Sequence, residues 1–168
     1  MLGNFGNTNH TKHMKTLYTE YYTEFPSIVA DPDPTRGWQK LNIGDTCALV
    51  TGHLKLASAT VGPAMYYRNV SIKISPLTTY TVTVKYNYHI ANNNLILYLG
   101  KTEKGFEHGN GTIITDGSSG SDDPNVPSET VAVFRSGKLS GELWLSIAGA
   151  GAHDMRLSEI SVKEEGNA

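Results

Sequence analysis

Several features that define other protein classes are scarce in this chain of 168 residues. Cys47 is the only cysteine, so an internal disulfide and a CxxC-type zinc site are both excluded. Charged residues make up 18% of the chain and the net charge is −2 without a basic run, so no nucleic-acid partner is expected. The longest apolar stretches, such as 95–99, are too short to span a bilayer, so no membrane partner is expected.

The first residues also lack an apolar segment. Residues 1–13 are polar and rich in Gly and Asn, so classical export is not expected. A lone cysteine flanked by Ala48 and Leu49 is expected to be a small buried side chain, and the lack of disulfides fits a reducing cytoplasm. His10 and His13 have no further ligands at useful spacing, so we expect solvated histidines and no metal.

Gly, Thr, Ser, Asn and Tyr are plentiful, as is typical of short strands joined by turns. The clearest pattern follows Pro76, where apolar and polar residues alternate strictly up to His89. One set comprises Tyr80, Val82, Val84, Tyr86 and Tyr88, and the other comprises Thr81, Thr83, Lys85, Asn87 and His89. Period two predicts a half-buried strand. We interpret it as the central strand of an antiparallel sandwich, with its Tyr/Val face in the core.

Further short apolar runs, separated by turn residues, predict more strands. They cover 38–43, 46–51, 54–57, 64–74, 95–99, 112–115, 129–135, 142–148 and 155–163. Strands at a spacing of roughly eight to twelve residues indicate an all-β antiparallel β-sandwich, with a final strand that returns near the first as in a jelly roll. Trp38 is expected to anchor the core because of its large apolar area.

The N-terminal part of the chain has a different pattern. Within 15–25, Leu17, Tyr21 and Phe25 recur every four residues, and Tyr18 and Tyr22 form a neighbouring row. This spacing allows a short helix, although Thr and Tyr equally favour a strand or an extended arm. These five residues are candidates for docking, either onto the protein's own domain or onto a partner.

Two Asp-Pro pairs at 31–34 disfavour helix and indicate a joint. We therefore divide the chain into an extended or partly helical N-terminal arm with its Pro-rich joint, residues 1–34, and a jelly-roll sandwich, residues 35–165.

The order of several motifs resembles the jelly-roll carbohydrate-binding-module-like (galactose-binding-like) domains of glycosidases and tailed-phage virion proteins. The motifs are Gly37-Trp38, Tyr67-Arg-Asn-Val-Ser-Ile, Pro76-Leu-Thr-Thr-Tyr-Thr-Val-Thr-Val-Lys-Tyr, Leu97-Tyr-Leu-Gly, Leu143-Trp-Leu-Ser-Ile and Leu157-Ser-Glu-Ile-Ser-Val-Lys-Glu. The resemblance covers roughly residues 35–164. It implies the fold more than a function, because this fold carries many roles.

In carbohydrate-binding members, the resemblance implies a structural calcium held by an acidic residue before the first Gly-Trp and by two in the last strand. Here the last strand offers Ser158 and Glu159, so one acidic position is missing, and calcium needs about six to eight oxygens. Asp122 and Asp123 are interpreted as a solvated turn before Pro124. No metal or cofactor is expected.

The sequence contains no set of residues that specifies an enzyme. No Gly-x-Ser-x-Gly, phosphate-binding Gly-rich loop or His-Glu-x-x-His is present, and no two acids are placed together for glycoside hydrolysis. His89, His108 and His153 are scattered over strands and loops. We therefore predict a non-enzymatic protein, and a hydrolase fragment ranks last among the hypotheses.

Binding of a sugar would need exposed aromatic side chains with polar neighbours. The candidates for contact with a glycan or a neighbouring subunit are Tyr66 (or Tyr67), Tyr98 and Trp144. Trp144 faces opposite to Leu143, Leu145 and Ile147. If those three residues form the core, the Trp144 side chain is either exposed or covered by a loop, by the arm or by a neighbouring subunit.

We accordingly expect a structural protein of a phage particle: a capsid decoration (cement) protein or a head or tail fibre component, anchored through its N-terminal arm. Its partners would be other virion proteins in a homo-oligomer, with a trimer as one arrangement, assembled in the host cytoplasm and located in the virion. The alternative is a carbohydrate-binding module or a host-receptor glycan binder.

Overall fold

The computed structural model describes residues 13–22, 33, 35–50, 52–91, 94–109, 111–114, 127–138 and 140–166, with the backbone alone for 87–91. These residues form eleven β-strands in two antiparallel sheets and contain no helix. The antiparallel β-sandwich expected from the sequence is therefore confirmed. None of the described residues belongs to a helix long and apolar enough to cross a membrane.

The strands follow one another with few long connections. They are β1 (Met14–Tyr21), β2 (Gln39–Lys40), β3 (Thr46–Val50), β4 (His53–Ser58), β5 (Pro63–Ile74), β6 (Thr79–Ala91), β7 (Leu95–Gly100), β8 (Thr112–Ile114), β9 (Ser128–Arg135), β10 (Gly141–Ala150) and β11 (His153–Glu165). The strand expected at 38–43 is reduced to two residues. It ends early because a turn, closed by the hydrogen bond from Asp45 N to Asn42 O at 3.2 Å, leaves Ile43 in solvent, 96% exposed.

The larger sheet is built around β11. Its order is β3-β4-β11-β6-β9, and β1 also pairs with β11. On one side of β11, residues 153–157 pair with β4 and residues 159–165 pair with β1, while β6 runs along the other side. The central position therefore belongs to the last strand and not to β6, because β11 pairs with β4 and β1 end to end along one edge and with β6 along the other.

The smaller sheet has the order β2-β5-β10-β7-β8. Its middle strand, β10, pairs with β5 on one side and with β7 on the other. The two sheets share one hydrophobic core cluster. Along β10, Leu143, Leu145 and Ile147 are fully buried in this core, so the residues between them face outward, as expected for Trp144.

The inner face of β6 agrees with the alternation in the sequence. Tyr80, Val82, Val84 and Tyr86 are each at most 2% exposed, whereas the intervening residues are half-buried. Burying each of these side chains stabilises the fold by about 2 kcal/mol. Trp38, 2% exposed, and Cys47, 7% exposed, are also buried, as predicted.

The N-terminal segment differs from the expected arm. Residues 14–21 form a strand whose backbone pairs with β11, and Tyr22, the next residue, is fully buried in the shared core. Tyr22 N donates to Ser158 O at 2.9 Å, and Trp38 Nε1 donates to Tyr22 Oη at 2.9 Å. Of the alternatives left open by the sequence, the structure shows a strand docked on its own domain, because β11 extends past β4 and offers unpaired backbone groups there.

The five predicted docking residues are therefore in different environments. Tyr22 is buried in the protein's own core and cannot contact a partner. Leu17 and Tyr18 are half-buried against the core, and Tyr21 is 45% exposed. Phe25 lies outside the described residues, as do most of the joint and residues 1–12. Partner docking through the remaining exposed surface stays a prediction, as does the division of the chain at residue 34.

Candidate functional site

The outer face of the smaller sheet carries aromatic residues from three neighbouring strands. Residues directly opposite each other on neighbouring strands place their side chains on the same face. Ser146 on β10 lies opposite Tyr67 on β5 and opposite Tyr98 on β7. In the next row, Trp144 lies opposite Asn69 and Gly100. Two tyrosines and a tryptophan are thus brought onto one surface from three strands.

A loop from β7 to β8 adds to this surface. The ring of Phe106 stands edge-on to the ring of Tyr98, with a centroid distance of 6.4 Å, and Phe106 is 67% exposed. Lys104 Nζ lies 4.7 Å from the centroid of the Tyr67 ring, a cation–π contact that helps to bury Tyr67 to 6% exposure. We call Tyr67, Tyr98, Trp144 and Phe106 the aromatic face.

The loop lies close to the sheet because glycine occupies both sides of the contact. A Cβ on Gly100 would lie 2.5 Å from the carbonyl carbon of Gly105, which no side chain tolerates. The Glu107 carboxylate holds the loop by accepting from Lys101 N at 2.9 Å and from Thr102 Oγ1 at 3.0 Å. These hydrogen bonds stabilise the charged carboxylate and so lower the pKa of Glu107, and the bond from the Lys101 backbone has the largest effect.

His108 attaches the C-terminal part of the loop to both sheets. Its ring stacks on Phe134 at a centroid distance of 4.5 Å, and its N donates to Leu99 O at 3.0 Å. Burial, followed by the charge of Lys101, lowers the pKa of His108, so the neutral imidazole is favoured. This histidine therefore acts as an anchor between the sheets and lies away from the aromatic face.

Polar groups accompany the aromatic face. Asn69 Nδ2, one row from Tyr67, donates to Glu142 Oε2 at 2.6 Å. Ser146 is fully buried between the two tyrosines, and its hydroxyl has no hydrogen-bond partner. An amide–carboxylate pair beside a half-buried tryptophan offers both donors and acceptors at the edge of an apolar ring. This combination suits a ligand that has apolar faces and many hydroxyl groups.

The structure places the predicted contact residues on two different faces of the smaller sheet. Tyr98 and Trp144 lie on the aromatic face and are half-buried. Tyr66 lies on the inner face instead, fully buried, with its hydroxyl 2.9 Å from His153 Nε2. The prediction for Tyr66 is corrected because it shares the parity of Val70 and the core residues after it, whereas Tyr67 has the opposite parity.

Sequence reasoning missed the loop residues altogether. Phe106 and Lys104 lie in a segment whose sequence has no periodic pattern, and their position depends on a contact between Gly100 and Gly105. The outward position of Tyr67 could have been read from the alternation in β5 alone.

A second cluster of polar side chains lies between the sheets at β1. Glu20 accepts from Tyr18 Oη at 2.6 Å, from Tyr22 Oη at 3.1 Å and from Arg36 Nε at 3.3 Å, and it pairs with Arg68 on β5. Together with Asp33 and Gly37, three of these residues line an open cavity of about 330 Å³.

We interpret this cluster as structural. The Glu20 and Arg68 side chains are only 10% and 15% exposed and neutralise each other. The Asp33 carboxylate accepts hydrogen bonds within its own turn, from Thr35 N at 3.1 Å and from Gly37 N at 2.8 Å. Burial, then the Glu20 charge, raises the pKa of Tyr22, so its phenol stays protonated and keeps donating to Glu20. The cluster therefore fastens β1 to the smaller sheet.

The described residues contain no group of three or more His, Cys, Asp or Glu side chains placed to hold a metal ion. Cys47 is buried, which raises the pKa of its thiol to about 12 and makes it a poor nucleophile. Asp122 and Asp123 lie outside the described residues.

Comparisons with known proteins address the fold. No protein-family model matches the chain, and no curated protein matches it. Solved structures do match, and three of them contain carbohydrate-binding modules. One is the Clostridium thermocellum endo-1,4-β-D-xylanase 10B CBM22-1–GH10 structure complexed with xylohexaose, with a TM-score of 0.60 and 13% identity. The structural match covers 92% of this chain but only 29% of that protein's chain.

The other two are carbohydrate-binding modules by themselves. The CBM22-1 xylan-binding domain of Paenibacillus barcinonensis Xyn10C has a TM-score of 0.58 and 12% identity, with 94% of this chain and 99% of that chain covered. The BiXyn10A CBM1 structure has a TM-score of 0.57 and 11% identity, with 91% and 99% covered. At such identities, the likeness shows that this chain shares the β-sandwich fold of carbohydrate-binding modules.

Proposed function

We propose that this protein is a non-catalytic glycan-binding module and that the aromatic face is its binding surface. The observation that carries the proposal is the convergence of Tyr98, Trp144 and Phe106 on one outer face of the smaller sheet, with polar groups at its edge. The fold shared with carbohydrate-binding modules supports it.

The physical basis is the amphiphilic character of a sugar ring. Its C–H faces can stack on an aromatic ring, while its hydroxyl groups need hydrogen-bond partners at the rim. On this surface, Asn69, Glu142 and the Lys104 ammonium provide such partners around the aromatic face. Binding on a sheet also needs little ordering of the protein, which limits the entropic cost of association.

The phage-particle hypothesis stays a prediction, together with its virion partners, homo-oligomer and location. It rested in part on the arm as an anchor, and the described part of that segment is paired in the protein's own sheet. The glycan-binding alternative is better supported, because solved structures that share this fold are carbohydrate-binding modules.

The proposal is tested by calorimetric titration with xylohexaose and soluble xylan, together with an array of other glycans. Replacing Trp144 by Ala or Tyr98 by Ala should weaken binding about tenfold or more, as expected for aromatic residues central to an interface. Tyr21→Ala is the matched control, since Tyr21 is an exposed aromatic residue on the outer face of the other sheet and should not affect binding.

Two results would contradict the proposal. One is the absence of binding to every glycan at millimolar concentration. The other is an equal loss of binding in Tyr21→Ala and Trp144→Ala, which would locate the ligand away from the aromatic face.

A further inference from the structure

A row of apolar side chains lies beside the aromatic face, crosses β5, β10, β7 and β8 and continues past the end of β2. We define this apolar row as Leu41, Met65, Ala148, Ile96 and Ile113. Ala148 pairs with both Met65 and Ile96, and Ile96 pairs with Ile113. Leu41 continues the row beyond β2, because its N donates to Met65 O at 2.9 Å.

The row is accessible to solvent. Leu41 and Ile113 at its two ends are 46% and 59% exposed, and the three residues between them are half-buried. Pro63 and Ala150, paired in the row beyond, are exposed as well, and neither side chain is charged. Such a strip can bury an apolar group of a ligand, because removing apolar area from water is favourable.

The apolar row is too small to hold a protein partner by itself. Four steps between strands span about 19 Å, and one row is about 7 Å wide, which is on the order of 130 Å². A stable protein–protein interface buries about 800 Å² on each partner. The dimensions fit instead an extension of the ligand that lies on the aromatic face, since neighbouring rows on one face are about 7 Å apart.

An unmodified sugar is a poor fit to this extension. None of the five side chains carries a hydrogen-bonding group, so a hydroxyl placed against them would lose water without gaining a partner. An acyl ester removes the hydroxyl donor and presents a methyl or longer alkyl group to the apolar row. Its carbonyl oxygen can accept from the exposed Gln39 amide, which lies opposite Tyr67 at the edge of the face.

We propose that the glycan bound by this protein is O-acylated, and that the apolar row binds the acyl substituents while the aromatic face binds the sugar chain. This inference rests on the proposed glycan-binding function and names the class of ligand. The apolar row would then determine selectivity, because the protein would bind an esterified polysaccharide more tightly than the same polysaccharide without esters.

The experiment compares native acetylated xylan with the same preparation after mild alkaline deacetylation, and repeats the comparison with acetylated glucomannan. Affinity electrophoresis or calorimetry should show about tenfold tighter binding to an acetylated polymer, which corresponds to 1.4 kcal/mol. Ile113→Ser should reduce binding of that polymer to the level of its deacetylated form and leave the deacetylated form unaffected. Val133→Ser, at a 65%-exposed position of the other sheet, is the control and should change neither.

The outcomes separate this inference from the proposed function. Equal or weaker binding of the acetylated polymers, with a loss in Trp144→Ala, would overturn the inference and leave the glycan-binding function standing. Failure to bind either form of both polymers overturns the inference, and the glycan array then decides the function. A wild-type dimer that Ile113→Ser converts to monomer would show that the row is a protein interface, which also overturns the inference.

Discussion

The Glu20 carboxylate links the first strand to the smaller sheet, in addition to the backbone pairing of that strand with β11. It accepts hydrogen bonds from two tyrosines on its own segment and pairs with Arg36 and with Arg68, which lies on the opposite sheet. Because Glu20 and Arg68 are largely removed from water, each would be costly to bury without the other. The Lys104–Glu103 pair is the opposite case, with side chains 39% and 46% exposed.

Replacing Glu20 by Gln should therefore destabilise the protein by about 3 kcal/mol, because it leaves the Arg68 guanidinium buried without a counter-charge. Glu103→Gln should change the free energy of unfolding by less than about 1 kcal/mol, since water already screens that pair. Urea unfolding of both variants, followed by tryptophan fluorescence, measures the difference. Similar stabilities of the two variants would show that the Glu20 cluster does not fasten β1.

At the scale of elements, alternation along a strand decides which residues form the core. In β6 the inner residues are at most 2% exposed, and in β10 the same rule turns Trp144 to the outer face. Because the period is two, one position separates a core residue from an outer-face residue, as with Tyr66 and Tyr67. The surface proposed to bind a glycan thus depends on strand register as much as on residue type.

Val84→Asp tests the face assignment of β6. An aspartate at this fully buried position would have no partner, so we expect the variant to lose about 5 kcal/mol or to fail to fold. Thr83→Asp, one residue earlier on the outer face, should cost less than about 1 kcal/mol. Far-UV circular dichroism and urea titration compare the two, and a folded Val84→Asp variant would mean that the face is reversed.

For the whole molecule, β1 and both sheets share one core, and this makes the N-terminal strand part of the folding unit. Tyr22 is buried among residues of both sheets and accepts from the Trp38 indole. A domain of this size is expected to unfold in one cooperative transition when its elements share a core.

Tyr22→Ala should accordingly lower the free energy of unfolding by about 3 to 5 kcal/mol, as for other large aromatic residues removed from a core. Tyr22→Phe should cost about 1 to 2 kcal/mol, because only the hydroxyl and its hydrogen bonds are lost. Thermal unfolding followed by fluorescence and by circular dichroism should give coincident transitions for each. An unchanged melting temperature in Tyr22→Ala would support an independent arm.

Much of this architecture can be predicted from local patterns. Strand positions from 46 to the C-terminus, the inner face of β6 and the outward turn of Trp144 all follow from period two, which each segment carries in its own residues. The same holds for the burial of Trp38 and Cys47, whose apolar side chains gain from any core.

The remaining features depend on contacts between distant parts of the chain. Whether 14–21 becomes an arm or a strand is decided by β11, whose unpaired edge lies about 140 residues further on, and nothing local signals it. Three further features likewise exist only after the sheets have assembled: the Glu20–Arg68 pair, the contact of the 101–109 loop with Gly100, and the apolar row across four strands. The sequence alone determined which residues face inward, because alternation is local, while the tertiary structure decided which outward residues meet, because strand order is not encoded in any one segment.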